Sequence, residues 1–512
     1  MRITRAVDGL SRQTVLTALV VVGLVLRVWQ YAANPSFWYD EISIARNITQ
    51  RSLGELISGP LLYSQVAPVG FVGALKVATL VFGTNDLALR FVPFICGLAA
   101  LLLFRRLAER ALDGEATIVA VALFALAPPL IRYTTELKQY GMDVMIAIAL
   151  TLIALDLRRP VLAGLLGFVV VWFSQASILV MAGLGAALLI VRGRQAIVTV
   201  SLWALASVMG IVVARYYVTP EIMAFMQRFW DVRHGFLSWP PHLVTATQFF
   251  GDPWMLAYPW PMVYSVIAVF GFVMLWRKRR DVALLLAGPM LAAVVASVAR
   301  QFPFHTRVIL FLLPSVIIAL ASAIAWVRQP VLIGALLIGP LWAIARLPPP
   351  YVIEAYKPMF AFFRDHRQST DQVYVFANTS EAADYYGPRY GLNDGAYYVG
   401  ICDRQDNRSY LTDLDRFRGV PRLWVLSSGV PPYRPARRTI GRYLRTIGVR
   451  TDSIVLPSLN LLPVSAELYD LSDSVRLGSA QAATFDVDAI PDTLRPGCRN
   501  LRQPKAPAGT SR

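Results

Sequence analysis

The sequence predicts a polytopic α-helical membrane protein with about eleven transmembrane helices, followed by a C-terminal extracytoplasmic α/β domain. The 512 residues are 56% hydrophobic and only 16% charged, whereas a soluble globular chain carries about 25% charged residues. The apolar residues form blocks, such as TVLTALVVVGLVLRV and VIAVFGFVMLW, which approach the ~20 residues that cross a bilayer. After residue 350 the blocks give way to short β-branched and aromatic runs between helical stretches, which is typical of an α/β domain.

The basic residues predict the topology. Much of the net charge of +17 lies in short loops between apolar runs, which indicates the positive-inside pattern rather than a nucleic-acid partner. Residues 1–13 are basic and precede an apolar run, but no small-residue cleavage site follows. This run is therefore predicted to be an uncleaved first span. The basic clusters assigned to the cytoplasm are Arg2/Arg5/Arg12, Arg105/Arg106/Arg110, Arg158/Arg159, Arg192/Arg194, Arg277–Arg280 and Arg328.

If all these clusters face the cytoplasm, the spans between them come in pairs. The total is then odd, so the N-terminus lies inside and the C-terminal domain lies outside. We expect this to be the inner membrane of a bacterium, with the C-terminal domain in the periplasm. The predicted spans are 14–31, 90–107, 115–131, 141–156, 160–172, 174–191, 196–217, 261–276, 282–299, 305–326 and 330–346.

One apolar segment, residues 66–83, does not fit this count. A span here would place the cluster Arg105/Arg106/Arg110 on the outer side. We therefore predict an interfacial helix at the outer leaflet, and a true span with a locally broken charge rule is the alternative. The segment lies in an outer-face loop, residues 32–89, of a transmembrane domain over 1–350.

The C-terminal region is predicted to form a small periplasmic α/β domain over 351–494 with a largely parallel sheet. The tail, 495–512, is rich in Pro and Arg and is predicted to be disordered. Cys402 and Cys498 both fall on the oxidising side, so a disulfide between them is a candidate. Two unpaired thiols are the alternative, because the sequence does not give their separation.

Several charged residues are predicted to meet at the outer membrane face. Asp40 and Glu41 follow the first span in the stretch NPSFWYDEISIARNI. An acidic pair there could simply cap a helix. However, the loop RYTTELKQY, which contains Glu136, Lys138 and Tyr140, lies on the same face. Arg307 joins them from the turn RQFPFHTR. Cations and carboxylates at one interface suit an anionic lipid headgroup and a reacting partner.

At these motifs the chain resembles the GT-C superfamily of glycosyltransferases, in the group that includes protein O-mannosyltransferases and the lipid A aminoarabinose transferase (bacterial glycosyltransferase family 39). The acidic pair in FWYDEISIARNI, the segment QVAPVGF, the stretch ELKQYGMDV and the turn FPFHTRVILFLLP follow the order of the family's motifs. The resemblance covers about residues 14–346, and EAYKPMFAFFRDHR resembles the outer domain of bacterial members.

The resemblance implies sugar transfer from a polyprenyl-phosphate carrier to a lipid, glycan or protein acceptor, with inversion. It implies Asp40 as the general base. Glu41 is the second catalytic candidate, and we expect it to orient the loop or to pair with a cation. Lys138 and Arg307 are candidates for the leaving phosphate, and Glu136 and Tyr140 for shaping that site. Where the family usually has Arg-Pro before the tyrosine, this chain has Lys138-Gln139. Lysine keeps the charge but loses the bidentate fork. The alternative for Arg307 is an interface anchor, and for Tyr140 an aromatic-belt residue.

No cofactor is predicted. The sequence has no GxxxxGK[ST] loop and no GxGxxG after a strand, so a nucleotide-sugar donor has no visible binding loop. No His, Cys, Asp and Glu cluster has metal-ligand spacing, and relatives that use a monophosphate carrier generally need no divalent metal. The alternatives to an enzyme are a transporter or flippase of a lipid-linked saccharide, for which no matched halves are visible, and a non-catalytic envelope scaffold.

Overall fold

The structure, a computed structural model, describes residues 11–237, 260–325, 330–346, 348–402, 406–459 and 461–488. The chain folds as two compact units. The first takes Met1–Asn34 and Asn47–Tyr351, and the second takes Pro35–Arg46 and Val352–Arg512. The second unit therefore includes a short stretch from early in the chain. The predicted tail, 495–512, and Cys498 lie outside the described residues, so the disulfide and the disordered tail stay predictions.

The described residues before position 351 are mainly helical. In chain order the helices are α1 (Arg12–Ala32), α2 (Tyr39–Gln50), α3 (Leu53–Ser58), α4 (Val69–Phe82), α5 (Asp86–Ala111), α6 (Gly114–Leu126), α7 (Pro128–Arg132), α8 (Tyr140–Leu155), α9 (Pro160–Val170), α10 (Ala176–Arg192), α11 (Ile197–Tyr217), α12 (Pro220–Val232), α13 (Pro261–Lys278), α14 (Arg280–Val298), α15 (Leu313–Ser322) and α16 (Pro330–Arg346). Each of the predicted spans contains one of these helices.

Five of the described helical segments are long and apolar enough to cross a membrane. They are Arg12–Ala32, Asp86–Ala111, Ala176–Tyr217, Pro261–Lys278 and Arg280–Val298. Further apolar helices are shorter, and α4 is among them. Its 14 residues rise only ~21 Å, less than the ~30 Å of a hydrocarbon core. The structure thus confirms an apolar helical protein, whereas the count of about eleven spans and the interfacial position of residues 66–83 stay predictions.

A buried arginine joins α1 to the end of α6. Pro128 and Pro129 have no N–H, so the carbonyls of Phe124 and Ala125, four residues earlier, lack their helical donors. The fully buried Arg27 side chain donates to the Ala125 oxygen at 3.1 Å and to the Phe124 oxygen at 3.2 Å. It thereby satisfies backbone groups that would be costly to leave unpaired.

Helices α10 and α14 approach each other closely at a pair of glycines. A Cβ atom on Gly183 would lie 2.1 Å from the carbonyl carbon of Gly288, and one on Gly288 would lie 2.2 Å from the Gly183 oxygen. Backbone cannot yield to such a contact as a flexible side chain can. The crossing therefore requires a residue without a side chain at both positions.

We expect Gly183→Ala to destabilise the first unit by roughly 1–3 kcal/mol, the usual effect of overpacking, and to lower Tm by several degrees. Thermal unfolding of the purified protein in detergent measures this effect. Gly73→Ala is the matched control, because a Cβ on Gly73 in α4 meets nothing within 4 Å. Equal Tm values for the two variants would contradict the close crossing.

The second unit contains a five-stranded sheet in the order β2-β1-β3-β5-β4. Its strands are β1 (Gln372–Val375), β2 (Tyr398–Val399), β3 (Leu423–Gly429), β4 (Val449–Leu456) and β5 (Leu462–Asp470). Its helices are α17 (Tyr356–His366), α18 (Ser380–Tyr386), α19 (Arg408–Leu414), α20 (Arg434–Ile447) and α21 (Ser474–Leu477). The α/β class is therefore confirmed.

The prediction of a largely parallel sheet is wrong for half of the strand pairs. β1 is parallel to β2 and to β3, but β5 is antiparallel to both β3 and β4. The connection between β4 and β5, residues 457–461, is too short for a parallel pair, because parallel neighbours need a crossover of about a dozen residues or more. In the parallel part, β1 lies between β2 and β3, so successive connections run to opposite sides of β1. The carboxyl end of β1 is therefore a topological switch point.

Candidate functional site

The six sequence-predicted site residues divide between the two units. Asp40 and Glu41 belong to the second unit, and Glu136, Lys138, Tyr140 and Arg307 belong to the first.

The predicted base lies in the first turn of α2. Glu41 is 3% exposed, and its Oε2 accepts from the Trp38 backbone N–H at 3.3 Å. A glutamate that reaches back to the N–H preceding its own helix is one half of a capping box. Of the two acidic residues, Glu41 is therefore the one that caps the helix, as in the capping alternative given above. Asp40, one residue earlier, is partly exposed.

The backbone before α2 is held by the second unit. The Phe37 N–H donates to the Tyr386 hydroxyl at 2.7 Å, and the Lys357 N–H donates to Ser36 Oγ at 2.8 Å. The stretch that leads into Asp40 is therefore fixed by a hydrogen bond from its Phe37 N–H and by one to its Ser36 hydroxyl oxygen. These bonds act in addition to the aromatic side chains at 37–39.

A buried carboxyl group contacts the start of α2. Glu354 is 1% exposed, and its Oε2 accepts from the Tyr39 backbone N–H at 2.9 Å. Its Oε1 accepts from the Tyr356 hydroxyl at 3.0 Å. Burial raises the pKa of Glu354 to about 7, and the nearby Asp40 charge acts in the same direction.

A second buried carboxyl group lies one turn along α2. Glu381 is 3% exposed, and its Oε2 accepts from Ser43 Oγ at 3.0 Å. Burial raises the pKa of Glu381 to about 7 as well. A further turn along, Arg46 pairs with Asp384 at 3.5 Å, with both side chains 9% exposed. Residues 39, 43 and 46 share one helical face, so this whole face of α2 is bound to the second unit.

Sequence reasoning missed Glu354 and Glu381. Glu354 is an acid in an otherwise apolar and aromatic stretch, YVIEAY, whereas Glu381 lies in the mixed stretch NTSEAADYY. An acid in an apolar setting is one signal for a buried, functionally relevant group. Their partners, however, lie more than 300 residues away in the sequence, and one chain alone does not show that pairing.

In the first unit, Lys138 is 5% exposed, and its Nζ donates to Gln65 Oε1 at 2.6 Å. The loop before Gln65 is unusual. Tyr63 and Ser64 have φ of 61° and 51°, a left-handed conformation that costs ~1–2 kcal/mol for each non-glycine residue. Asn47 holds this loop through both its amide groups, bonded to the N–H and the carbonyl of Leu62. Strain held in this way is often found at functional positions.

The other predicted residues of the first unit lie beside Lys138 in sequence or on a neighbouring element. Glu136 is 3% exposed and forms an ion pair with Arg132, a residue that sequence reasoning did not single out. Tyr140 begins α8, and the Arg307 guanidinium lies 5.7 Å from the centre of its ring. The first unit therefore brings Arg307 and Tyr140 together and places Glu136 against a cation.

Gln65 also lines an apolar groove that is formed entirely by the first unit. The lining consists mainly of aliphatic residues from the segment before α4, the turn between α9 and α10, and the end of α11. It comprises Leu56, Gly59, Leu61, Gln65, Val66, Ala67, Pro68, Val69, Val72, Val171, Trp172, Gln175, Gly210, Val213, Ala214 and Tyr217. One wall depends on Gly70, whose N–H donates to the Trp172 oxygen at 2.8 Å and whose Cβ would lie 2.7 Å from that oxygen.

The groove and the lysine are thus linked by one side chain. The Gln65 amide oxygen accepts a hydrogen bond from the Lys138 ammonium, and the same side chain lines this groove. Such a site suits an amphiphile with an anionic end, because apolar lining with few polar groups is typical of ligand grooves. No group of three His, Cys, Asp or Glu side chains within the described ranges is arranged to hold a metal ion.

No protein family matches the sequence, and no curated protein matches it. Among solved structures, the chain is similar to the oligosaccharyltransferase of Archaeoglobus fulgidus in its apo form, with a TM-score of 0.45 and 12% identity over 84% of this chain and 70% of that chain. The same enzyme with Zn and sulfate gives a TM-score of 0.42 and 13% identity over 84% and 69%. The arabinofuranosyltransferase AftD from Mycobacteria gives 0.45 and 17% over 91% of this chain and 40% of that chain.

By name, one of these proteins is an oligosaccharyltransferase and the other an arabinofuranosyltransferase. At identities of 17% or less and TM-scores of 0.45 or less, the likeness carries no argument about this chain. The function therefore has to follow from the residues of this chain.

Proposed function

We propose that this protein is an integral-membrane glycosyltransferase that moves a sugar, a hexose or a pentose, from a polyprenyl-phosphate carrier to an acceptor on the outer face of a bacterial inner membrane. The observation that carries the proposal is the apolar groove whose lining residue Gln65 is hydrogen-bonded to the buried Lys138. A lipid carrier needs an apolar surface for its chain and a cation for its phosphate, and the groove and Lys138 are our candidates for these two parts.

The proposed reaction is a single inverting displacement. The acceptor hydroxyl oxygen forms the new bond to the anomeric carbon, and its proton passes to the Asp40 carboxylate. The bond between the anomeric carbon and the phosphate oxygen breaks, and that oxygen keeps the electron pair. Lys138 and Arg307 are proposed to stabilise the developing phosphate charge. This assignment needs no divalent metal and no other cofactor.

The remaining predicted residues have supporting roles in this proposal. Tyr140 holds Arg307 by a cation–π contact, which is worth ~0.5–2 kcal/mol according to its exposure. The ion pair of Glu136 with Arg132 would fix the loop that carries Lys138. The acceptor is a lipid, a glycan or a protein.

The donor class is tested by assaying the purified protein in nanodiscs with a membrane extract as the acceptor source. Polyprenyl-monophosphate sugars are expected to release polyprenyl phosphate in proportion to the sugar transferred. Nucleotide sugars are expected to give no transfer, because no phosphate-binding glycine loop is present in the sequence. Transfer from a nucleotide sugar alone would contradict the proposal.

Filling the groove should raise KM for the lipid donor. We expect Ala214→Phe to raise this KM at least about tenfold, because the added ring occupies space that the prenyl chain needs and each displaced CH₂ loses ~0.8 kcal/mol of burial. Steady-state kinetics with a long-chain donor measure the change.

Val212→Phe is the matched control for this variant. Val212 lies on the same helix, is 64% exposed and does not line the groove. An equal KM for the two variants would place the prenyl chain elsewhere.

A further inference from the structure

The helix that carries Asp40 is bound by the second unit at the edge of the sheet where α/β folds usually bind ligands. Tyr356, whose hydroxyl donates to Glu354, also bonds Ser428 Oγ at 2.7 Å. Ser428 lies near the end of β3, and its N–H donates at 2.8 Å to Thr379 Oγ1, just after β1. Ligands of open α/β sheets bind outside the carboxyl ends of the strands at a switch point.

In this protein, residues 36–46 contact the groups near that edge. The edge is therefore used to hold a segment of the chain itself. The contact is polar and specific, since Glu354 accepts from the first backbone N–H of α2, one residue before Asp40.

We propose that Glu354 is a positioning residue for the reaction: it fixes the first turn of α2, and with it Asp40, and its negative charge increases the basicity of Asp40. This inference rests on the proposed role of Asp40 as the general base. It assigns the second unit a direct part in catalysis, in place of docking the acceptor or acting as a lid.

Two effects follow from the position of Glu354. The first is geometric, because a base displaced by ~1 Å can lose ~100-fold in rate. The second is electrostatic, because a like charge nearby disfavours ionisation of Asp40 and so strengthens it as a proton acceptor. The charged and titratable groups that act on Glu354 from the elements around it are Tyr39 and Asp40 on α2, Tyr356 on α17 and Arg437 on α20, with Glu381 on α18 acting on both tyrosines.

The electrostatic effect has a defined pH window. Burial raises the pKa of Glu354 to about 7, so the group is largely neutral at pH 6 and largely ionised at pH 8. Its effect on Asp40 is therefore absent below the window and present above it. The turnover of the wild-type protein is expected to rise through pH 7 in addition to any change due to Asp40 itself.

Two variants separate the effects. Glu354→Ala removes both hydrogen bonds. Glu354→Gln keeps both. Its amide oxygen accepts from the Tyr39 N–H, and its amide N–H donates to the Tyr356 hydroxyl oxygen, whose own proton is then donated to Ser428 Oγ. We expect Glu354→Ala to lower kcat about tenfold or more at every pH. Glu354→Gln should lose several-fold at pH 8 and little at pH 6, with the rise through pH 7 abolished.

Hydrogen exchange on the full chain tests the positioning without any assay of activity. The backbone amides of residues 36–50 should exchange faster in Glu354→Ala but not in Glu354→Gln. Asp473→Ala is the control, since it removes a carboxylate that caps α21 in the same unit, through a 2.9 Å bond from the Val475 N–H. Unchanged exchange in Glu354→Ala would overturn the positioning role.

The pH profile distinguishes this inference from the proposed function. If Asp40→Asn is inactive while Glu354→Gln keeps the wild-type profile, Asp40 remains the base and the charge effect of Glu354 is refuted. If Asp40→Asn keeps wild-type turnover, the general-base assignment fails, whatever the Glu354 variants do. Loss of the rise through pH 7 in Glu354→Gln alone supports the inference.

Discussion

Replacing Asp40 by Asn is expected to lower kcat by at least ~100-fold, the lower end of the range for loss of a general base. The amide is nearly isosteric with the carboxylate but cannot accept the proton of the acceptor hydroxyl. The fixed first turn of α2 does not depend on the Asp40 charge, because Glu41 and Glu354 hold the backbone there. KM for the lipid donor is therefore expected to change little.

The measurement is the steady-state rate at saturating donor, with the thermal stability of the variant as a check on folding. Asp365→Asn is the matched control, since Asp365 is an exposed carboxylate of the same unit that pairs with Arg364. An Asp40→Asn protein with wild-type turnover would show that the acidic pair only starts a helix.

Replacing Lys138 by Ala is expected to weaken both donor binding and turnover, with kcat/KM reduced by about 10- to 100-fold. A charge-assisted hydrogen bond to a phosphate oxygen is worth ~1.5–3 kcal/mol, and here it would strengthen as the phosphate gains charge during the reaction. Lys138→Arg should retain more activity than Lys138→Ala, because the positive charge is kept.

Lys76→Ala is the control for this substitution. Lys76 is a lysine of the same unit whose Nζ donates to the Ile48 carbonyl oxygen at 2.8 Å, and its loss is expected to leave the kinetics of the lipid donor unchanged. If Lys138→Ala lowered thermal stability but left kcat/KM unchanged, Lys138 would be a structural partner of Gln65 alone. Arg307 would then have to supply the charge for the phosphate.

The sequence predicted the helical segments well because their signal is local. Each predicted span contains a helix, since apolar length alone marks such segments, as in α1 and α14. The strands were harder. The stretch LPVSAELYD, which forms β5, mixes polar and apolar residues in a short run, and its antiparallel pairing with β3 and β4 makes the expectation of a largely parallel sheet wrong.

The candidate site could be predicted only in part. Asp40, Lys138 and Arg307 were singled out because charged groups at apolar boundaries are rare and visible. The contact of Gln65, the first residue of QVAPVGF, with Lys138 and that of Glu354 with Tyr39 were not predicted, because each joins residues distant in sequence. A single sequence does not encode such a pairing in any local pattern.

A glycosyltransferase cleaves a lipid-linked sugar and transfers the sugar, whereas a flippase moves the intact lipid across the membrane. A polyprenyl-phosphate sugar labelled with ³H in the sugar and ³²P in the phosphate distinguishes the two when it is added to the purified protein in nanodiscs with acceptor. We expect the two labels to separate one for one, with the ³H on the acceptor in the inverted anomeric configuration, and we expect Asp40→Asn nearly to abolish the separation. If both labels stay together on the lipid in the wild-type protein, the protein is not the proposed glycosyltransferase.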